Sequence, residues 1–243
     1  MRNLGWKSLM LGLSLAVALP QAGWTQEEEA KGEEPAAAVA AAAESKPEEK
    51  AAAETPMSAK ALRVDGLVEV KGPSDTMFHP VASGADLPMS GTIRATSGAK
   101  AQIQLPNGVI ILVREFTVVR LDQLAKDKNS EISIPIGEFL IGLKSPLPAG
   151  QVFRVKTPSS VAGIRGTLFW GLADADMTTT FACFHDTIVL EASGKTVELV
   201  PGKLSSVKLG EAPAEPADHS VPASYLENFA VEGSLEGLPD LLK

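Results

Sequence analysis

The stretch FRVKTPSSVAGIRGTLF, residues 153–169, places Thr157-Pro158, then Gly163 and Gly166 around Arg165, between two apolar runs. Phe153, Val155 and Thr157 alternate on one face of an extended segment, since successive strand side chains point to opposite sides. Pro158 has no N–H to give a ladder and ends the strand. Gly163 and Gly166 allow backbone conformations or close approaches that a side chain forbids. Thr167 and Phe169 then resume the extended run. The unit reads as a strand, a tight connection and a return strand.

Outward from it the same texture continues. LRVDGLVEVK (62–71) alternates apolar and polar around Gly66, and AKAQIQL (99–105) puts Ala101, Ile103 and Leu105 on one face. Pro106-Asn107-Gly108 is a turn, because Asn-Gly favours the positive φ angles of a tight hairpin. VIILV (109–113) is a β-branched run of the kind buried on both faces. TVVRL, ISIPI, EFLIGL, TLFWGL, TTTFACF, TIVLEA, TVELV and SSVKL follow, each closed by Gly, Pro, Asn, Asp or Ser. No helical period interrupts them between 62 and 210. The spacing predicts an all-β domain over 61–210, a solenoid- or prism-like stack of short strands, with a β-sandwich or barrel as the alternative.

The flanks differ. MRNLGWKSLMLGLSLAVALPQAGWTQ sets Arg2 and Lys7 before an apolar core, Leu9 to Leu19. That is the layout of a secretory signal peptide, residues 1–22 with cleavage after Ala22. The apolar core falls short of the roughly 20 residues that span a bilayer, so no stable membrane span is expected after its removal. Residues 23–60 are rich in Ala, Glu, Pro and Lys, offer little to bury, and read as a disordered spacer. Residues 211–243 form an acidic tail in which Tyr225, Leu226, Phe229 and Val231 have helical spacing, a short helix that docks on the domain or on a partner, the domain being preferred.

Charge follows the same division. Residues 26–60 carry nine Glu against four Lys, and the tail from Glu211 seven acids against one Lys. The part between, with fifteen basic and fourteen acidic residues, is nearly neutral. No basic face interleaved with aromatics appears, which argues against nucleic acid. Cys183 is the single cysteine, so no intrachain disulfide exists.

These motifs resemble the FecR family of bacterial envelope proteins. LPMSGTIRATSGAKAQIQLPNGVIILV (87–113) is similar to that family's succession of Gly, strand, small-residue turn, strand, Asn-Gly turn and strand. IPIGEFLIGL (134–143) resembles the next unit, and TTTFACFHDTIVLEASGKTVELVPGKLSSV (178–207) the closing strands. The most specific part is 153–169, with its Phe-x-Val-x-Thr-Pro followed by Arg-Gly-Thr-x-Phe. The resemblance covers about Leu62 to Leu209. It implies a stack of short strands and, for signalling members, a cytoplasmic sigma-factor-binding region, a membrane helix and a further C-terminal domain. Eight residues precede the apolar run here and 33 follow Gly210, so the expectation is the middle domain alone, exported to the periplasm or beyond.

No reaction chemistry stands out, and no enzyme, cofactor or metal is expected. The candidate structural or recognition residues are Thr157, Pro158, Gly163, Arg165, Gly166 and Thr167. Arg165 is either a recognition fork for a partner's carboxylate or phosphate or a guanidinium that satisfies loop carbonyls; the second is preferred. Cys183 and His185, two apart on a strand, share a face as a nucleophile and base would, yet FACF is core-like. His79 and His219 read as loop residues. Asp174 and Asp176, with Glu191, read as turn chemistry before a cation site. Ser159-Ser160 lacks a placed histidine, and Trp170 continues Leu168-Phe169 into the core. The expected function is a non-catalytic module that binds an envelope protein or glycan. The alternative is a component of sigma-factor signalling without its own anti-sigma region.

Overall fold

The computed structural model describes residues 58–124, 129–143 and 145–230. The expected signal segment, most of the spacer, and the tail beyond Ala230 lie outside the described residues. In chain order the strands are β1 (Ala59–Asp65), β2 (Val68–Lys71), β3 (His79–Pro80), β4 (Asp86–Leu87), β5 (Thr92–Ala95) and β6 (Lys100–Gln104). Next come β7 (Val109–Val113), β8 (Val118–Gln123), β9 (Ser130–Leu143), β10 (Phe153–Lys156), β11 (Val161–Ile164) and β12 (Leu168–Ala173). The last are β13 (Thr179–His185), β14 (Ile188–Ala192), β15 (Lys195–Leu199), β16 (Lys203–Val207) and β17 (Ala217–Asp218). Among the described residues a 3-10 turn at Ala223–Phe229 is the sole helix. Apart from that turn the described residues are all-β, as their alternation requires.

The strands form one open ladder system that β9 divides into two layers. Sheet 1 runs β4-β1-β6-β7-β9-β12-β13-β16-β17, antiparallel throughout. Sheet 2 runs β3-β2-β5-β8-β9-β10-β11-β14-β15, antiparallel except where β10 lies parallel to β9. One cluster of buried side chains joins the layers: Ile103, Ile111, Phe139, Phe169 and Phe181 from sheet 1 meet Ile93, Val119, Ile132, Phe153 and Leu190 from sheet 2. Phe139 packs edge-on against both Phe169 and Phe181, centroids 6.2 and 6.3 Å apart. Such contacts add about 0.5–1.5 kcal/mol beyond the area they bury.

β9 departs from expectation. ISIPI and EFLIGL read as two strands because Pro and Gly punctuate them, yet 130–143 is one strand that changes layers. Pro135 sits where the register with β8 slips between Val118 and Arg120, so its missing N–H interrupts no regular ladder. The turnover point is Gly137, at φ +115. From there the strand pairs β7 and β12 instead of β8 and β10. At the corner the Glu138 N–H donates to Thr117 Oγ1 (3.1 Å), and that hydroxyl donates to the Glu138 carbonyl (3.0 Å).

β7 is buried along its length for two reasons. Val109, Ile111 and Val113 face the inter-sheet core. Ile110 and Leu112 face outward into a second cluster formed with Leu226 and Phe229 of the 3-10 turn.

A groove on the outer face of sheet 2

β10, β11 and β14 each put one set of side chains inward and the alternate set outward. Phe153, Val155, Ala162, Ile164, Ile188 and Leu190 go to the core. Arg154 and Lys156, Val161 and Gly163, and Val189 and Glu191 are left on the outside. The register sets Arg154 opposite Gly163, and Gly163 opposite Val189. A row across three strands thus reads cation, nothing, valine. The missing side chain opens a hollow of about 470 Å³ lined by Val152, Arg154, Arg165, Asp186 and Val189. A second hollow of about 550 Å³ adjoins it, shares Arg154, Val161 and Glu191, and reaches Thr157 and Pro158.

Of the candidate residues, Thr157, Pro158, Gly163 and Arg165 line the two hollows, and Gly166 and Thr167 line neither. Thr157 closes the β10–β11 hairpin: its N–H donates to the Ser160 carbonyl (2.9 Å) and its hydroxyl lies 3.0 Å from Ser160 Oγ. A chain of buried hydroxyls continues from it. Ser159 donates to Thr179 (2.9 Å), and Thr179 donates to Thr157 (3.0 Å), which ties the hairpin to β13. Each link satisfies a buried polar group that would otherwise cost about 1–3 kcal/mol. Gly166 packs against Pro146, where an added Cβ would meet carbon atoms at 3.3 Å. Thr167 is fully buried, and its hydroxyl has no partner among the described residues. The Arg165 carbonyl accepts the Leu147 N–H (2.7 Å). The Arg165 side chain is exposed and, like that of Arg154, forms no hydrogen bond or ion pair with a described residue.

Gly163 differs from its sequence reading. Its φ is not positive, and an added Cβ would meet only Val152 Cγ1 at 3.7 Å and the Val189 carbonyl at 3.8 Å, ordinary contacts. The backbone does not require glycine here. The groove does.

The remaining sequence candidates separate. Cys183 lies in the core, and its Sγ–H donates to the Asp186 carbonyl (3.1 Å). Burial pushes this thiol up to about 11. The register slips between Leu168 and Phe169, which pair with His185 and Cys183, and His185 is exposed. The thiol and imidazole therefore do not work as a pair. With its folded value above the unfolded one, the neutral thiol stabilises the fold below pH 9, and that contribution is lost as pH rises from 9 to 11. Iodoacetamide at pH 8 should leave Cys183 of the native chain unmodified and label it fully in urea; native labelling would contradict a core thiol.

His219 Nε2 sits 3.1 Å from the Cys183 carbonyl. Asp174 accepts the Ala175 N–H (2.7 Å), and Asp176 accepts that of Thr178 (2.8 Å), which holds the Asp176 carboxyl below its usual range. Among the described residues no three His, Cys, Asp or Glu side chains are grouped to hold a metal.

Sequence reasoning missed one arrangement. Glu138 follows the layer-changing glycine and accepts hydrogen bonds from Trp170 Nε1 (2.8 Å), Tyr225 Oη (2.7 Å) and Arg114 (2.8 Å) on the outer face of sheet 1. The signal was a carboxylate inside an otherwise apolar strand, but its partners stand 24, 32 and 87 residues away.

Comparison with known proteins agrees with the motifs. Residues 91–189 match the FecR protein family, a narrower span than 62–209. Two crystal structures of a candidate anti-sigma factor from Parabacteroides distasonis ATCC 8503 are similar to this chain at low identity. One is 16% identical with a TM-score of 0.50, over 56% of this chain and 63% of that one. The other is 17% identical with a TM-score of 0.47, over 53% and 59%. The chain thus spans about six-tenths of the length of these neighbours. No curated protein matches it. The strands from Gly91 to Val189, which carry the 153–169 motif and most of the groove, are the part of the chain that is similar to the FecR protein family.

Proposed function

We propose that this chain is an exported, non-catalytic binding module of envelope signalling, and that it works by holding an extended segment of a partner protein in the groove of sheet 2. Gly163 carries the reading. A glycine inside a strand costs about 0.5–1 kcal/mol relative to alanine, and here neither φ nor contacts demand it. What its absence of side chain supplies is room between two unpaired guanidinium groups and an apolar floor of Val152, Val161 and Val189. An acidic or carbonyl-rich strand meets Arg154 and Arg165 there by charge-assisted hydrogen bonds. No aromatic side chain lines either hollow, so the groove lacks the flat platform on which a sugar ring stacks, and protein is favoured over glycan.

The family match and the anti-sigma description of the fold neighbours support regulation as the setting. The N-terminal run supports export. No described helix is long and apolar enough to cross a membrane.

Gly163→Val tests the groove without weakening the fold, since a β-branched residue suits a half-buried, outward-facing strand position. A photocrosslinking residue at Val189 in cells should give a discrete protein adduct. That adduct should disappear when Gly163→Val or Arg154→Ala/Arg165→Ala is added, while the melting temperature stays level or rises. Adducts that survive all three changes would remove the groove from the function.

A further inference from the structure

A sheet edge is a row of unpaired N–H and C=O groups open to another strand, and proteins blunt it with very short strands or proline. Sheet 1 ends on the two-residue β4 at one side and the two-residue β17 at the other. Sheet 2 ends at one side on β3, again two residues, one of them Pro80. Its other side ends on β15, KTVEL, five residues that pair β14 and no other described strand. No described backbone group outside β14 bonds to it.

The adjoining turn fixes which groups of β15 are free. Ser193 and Gly194 make a two-residue hairpin loop, both at positive φ (49 and 72), and Ala192 pairs with Lys195 across it. The residues that close such a loop exchange both hydrogen bonds, and bonded pairs then alternate along the ladder. Lys195, Val197 and Leu199 therefore turn their backbone groups to β14, and Thr196 and Glu198 turn theirs to the open side. Side chains alternate too: Leu199 is buried and Val197 half-buried on the core side, while Thr196 and Glu198 are exposed.

We propose that β15 is the seam of a homodimer, to which a second copy of this chain adds its own β15 antiparallel. A two-fold axis perpendicular to the sheet brings two such edges together and keeps core side with core side, so opposed residues must share a face. The registers of greatest overlap are centred on Thr196, Val197 or Glu198. Centring on Glu198 sets like charges opposite each other, which destabilises. Centring on Thr196 sets Val197 against Lys195. Centring on Val197 sets valine against valine and Glu198 against the Thr196 hydroxyl, and Thr196 and Glu198 exchange their free backbone groups with the second copy. It also brings Val200, 46% exposed, beside Gly194, where nothing lies within 4 Å of an added Cβ.

A second copy is favoured over an extended segment of another protein because symmetric pairing covers both open edges and creates none. A lone added strand becomes a new edge. The dimer sets the two Gly163 hollows on one outer face, five strand spacings or roughly 24 Å apart, but the seam does not depend on what they bind.

Sedimentation equilibrium of the full chain should show a reversible monomer–dimer. Thr196→Pro removes an N–H that the monomer leaves free, and should raise the dissociation constant at least tenfold with the urea midpoint unchanged. Val197→Cys tests the register, because directly opposed residues of a non-hydrogen-bonded pair have Cα atoms about 4.5 Å apart, within disulfide reach. Mild oxidation should join two copies through residue 197, while Thr196→Cys, diagonal to itself across the seam, should crosslink at least tenfold more slowly. Cys183 is buried and does not compete. The crosslinks decide the matter where Thr196→Pro fails to fold. A chain that stays monomeric at its highest soluble concentration would overturn the seam. So would a dimer indifferent to Thr196→Pro, or equal crosslinking at 196 and 197. A photocrosslinking residue at Thr196 that captures another protein in cells, and never the chain itself, would overturn the second copy as occupant.

Discussion

Replacing Gly137 with alanine should leave almost no folded domain to purify. At φ +115 this residue occupies a region that side-chain-bearing residues avoid, a strain worth about 1–3 kcal/mol. The steric cost comes on top. An added Cβ would overlap the Thr117 backbone and lie 2.6 Å from its Cβ, and Thr117 has no freedom to retreat. Its hydroxyl bonds both the N–H and the carbonyl of Glu138, and its own carbonyl accepts the Ala95 N–H. A summed loss of about 4 kcal/mol or more consumes most of the stability of a domain near the lower end of the usual ~5–15 kcal/mol. Gly84, also at positive φ (+83) but with nothing within 4 Å of an added Cβ, isolates the strain. Gly84→Ala should cost only about 1 kcal/mol and remain two-state in urea. If Gly137→Ala instead unfolds at the same urea concentration as Gly84→Ala, the layer change at Gly137 does not depend on the close approach to Thr117.

The contrast between glycines also shows what a sequence discloses. Strands were legible wherever one face is buried, since alternation at 153–156 or 188–192 directly records which side meets the core. The continuous run at 109–113 disclosed burial on both faces, and the covering tail segment was visible as apolar residues at helical spacing. Glycine was ambiguous in kind. The same letter marks forced backbone at 137, ring contact at 171 and room for a side chain at ordinary contact distance at 163, and only the neighbours brought by folding distinguish them. β9 was split in two because Pro135 and Gly137 are the residues that usually end strands, and here they redirect one.

The candidate site was half legible. The 153–169 motif lies on β10, β11 and β12, and its hairpin residues Thr157 and Pro158 border the proposed groove. The hollow itself needs Val189 from β14 beside Gly163, a pairing that no local pattern records. The Glu138 cluster was out of reach for the same reason, since a lone carboxylate in a strand names no partner. Chemistry at Cys183 and His185 was weighed on a regular period of two, and a register slip of the kind that cannot be read from side-chain types turned His185 outward.

Gly171→Ala should destabilise the domain by about 3 kcal/mol, at the upper end of what overpacking costs. Gly171 lies in register between Phe139 of β9 and Phe181 of β13, and the Phe139 ring covers the place where its side chain would be, with Cε2 2.6 Å from an added Cβ. A flexible side chain would swing aside. Phe139 is fully buried and held edge-on by Phe169 and Phe181, so it must push the sheets apart or leave its rotamer. Phe139→Leu, a smaller side chain, should cost about 1–2 kcal/mol alone through lost burial. It should also relieve the overlap, so that Phe139→Leu/Gly171→Ala is more stable than the sum of the two losses by at least about 1 kcal/mol. Equilibrium urea unfolding of the four proteins measures that coupling. Simple additivity would mean that the ring and the glycine are independent, and that the closeness of β9 to β12, which also sets Trp170 beside Glu138 on the other side, is maintained by something else.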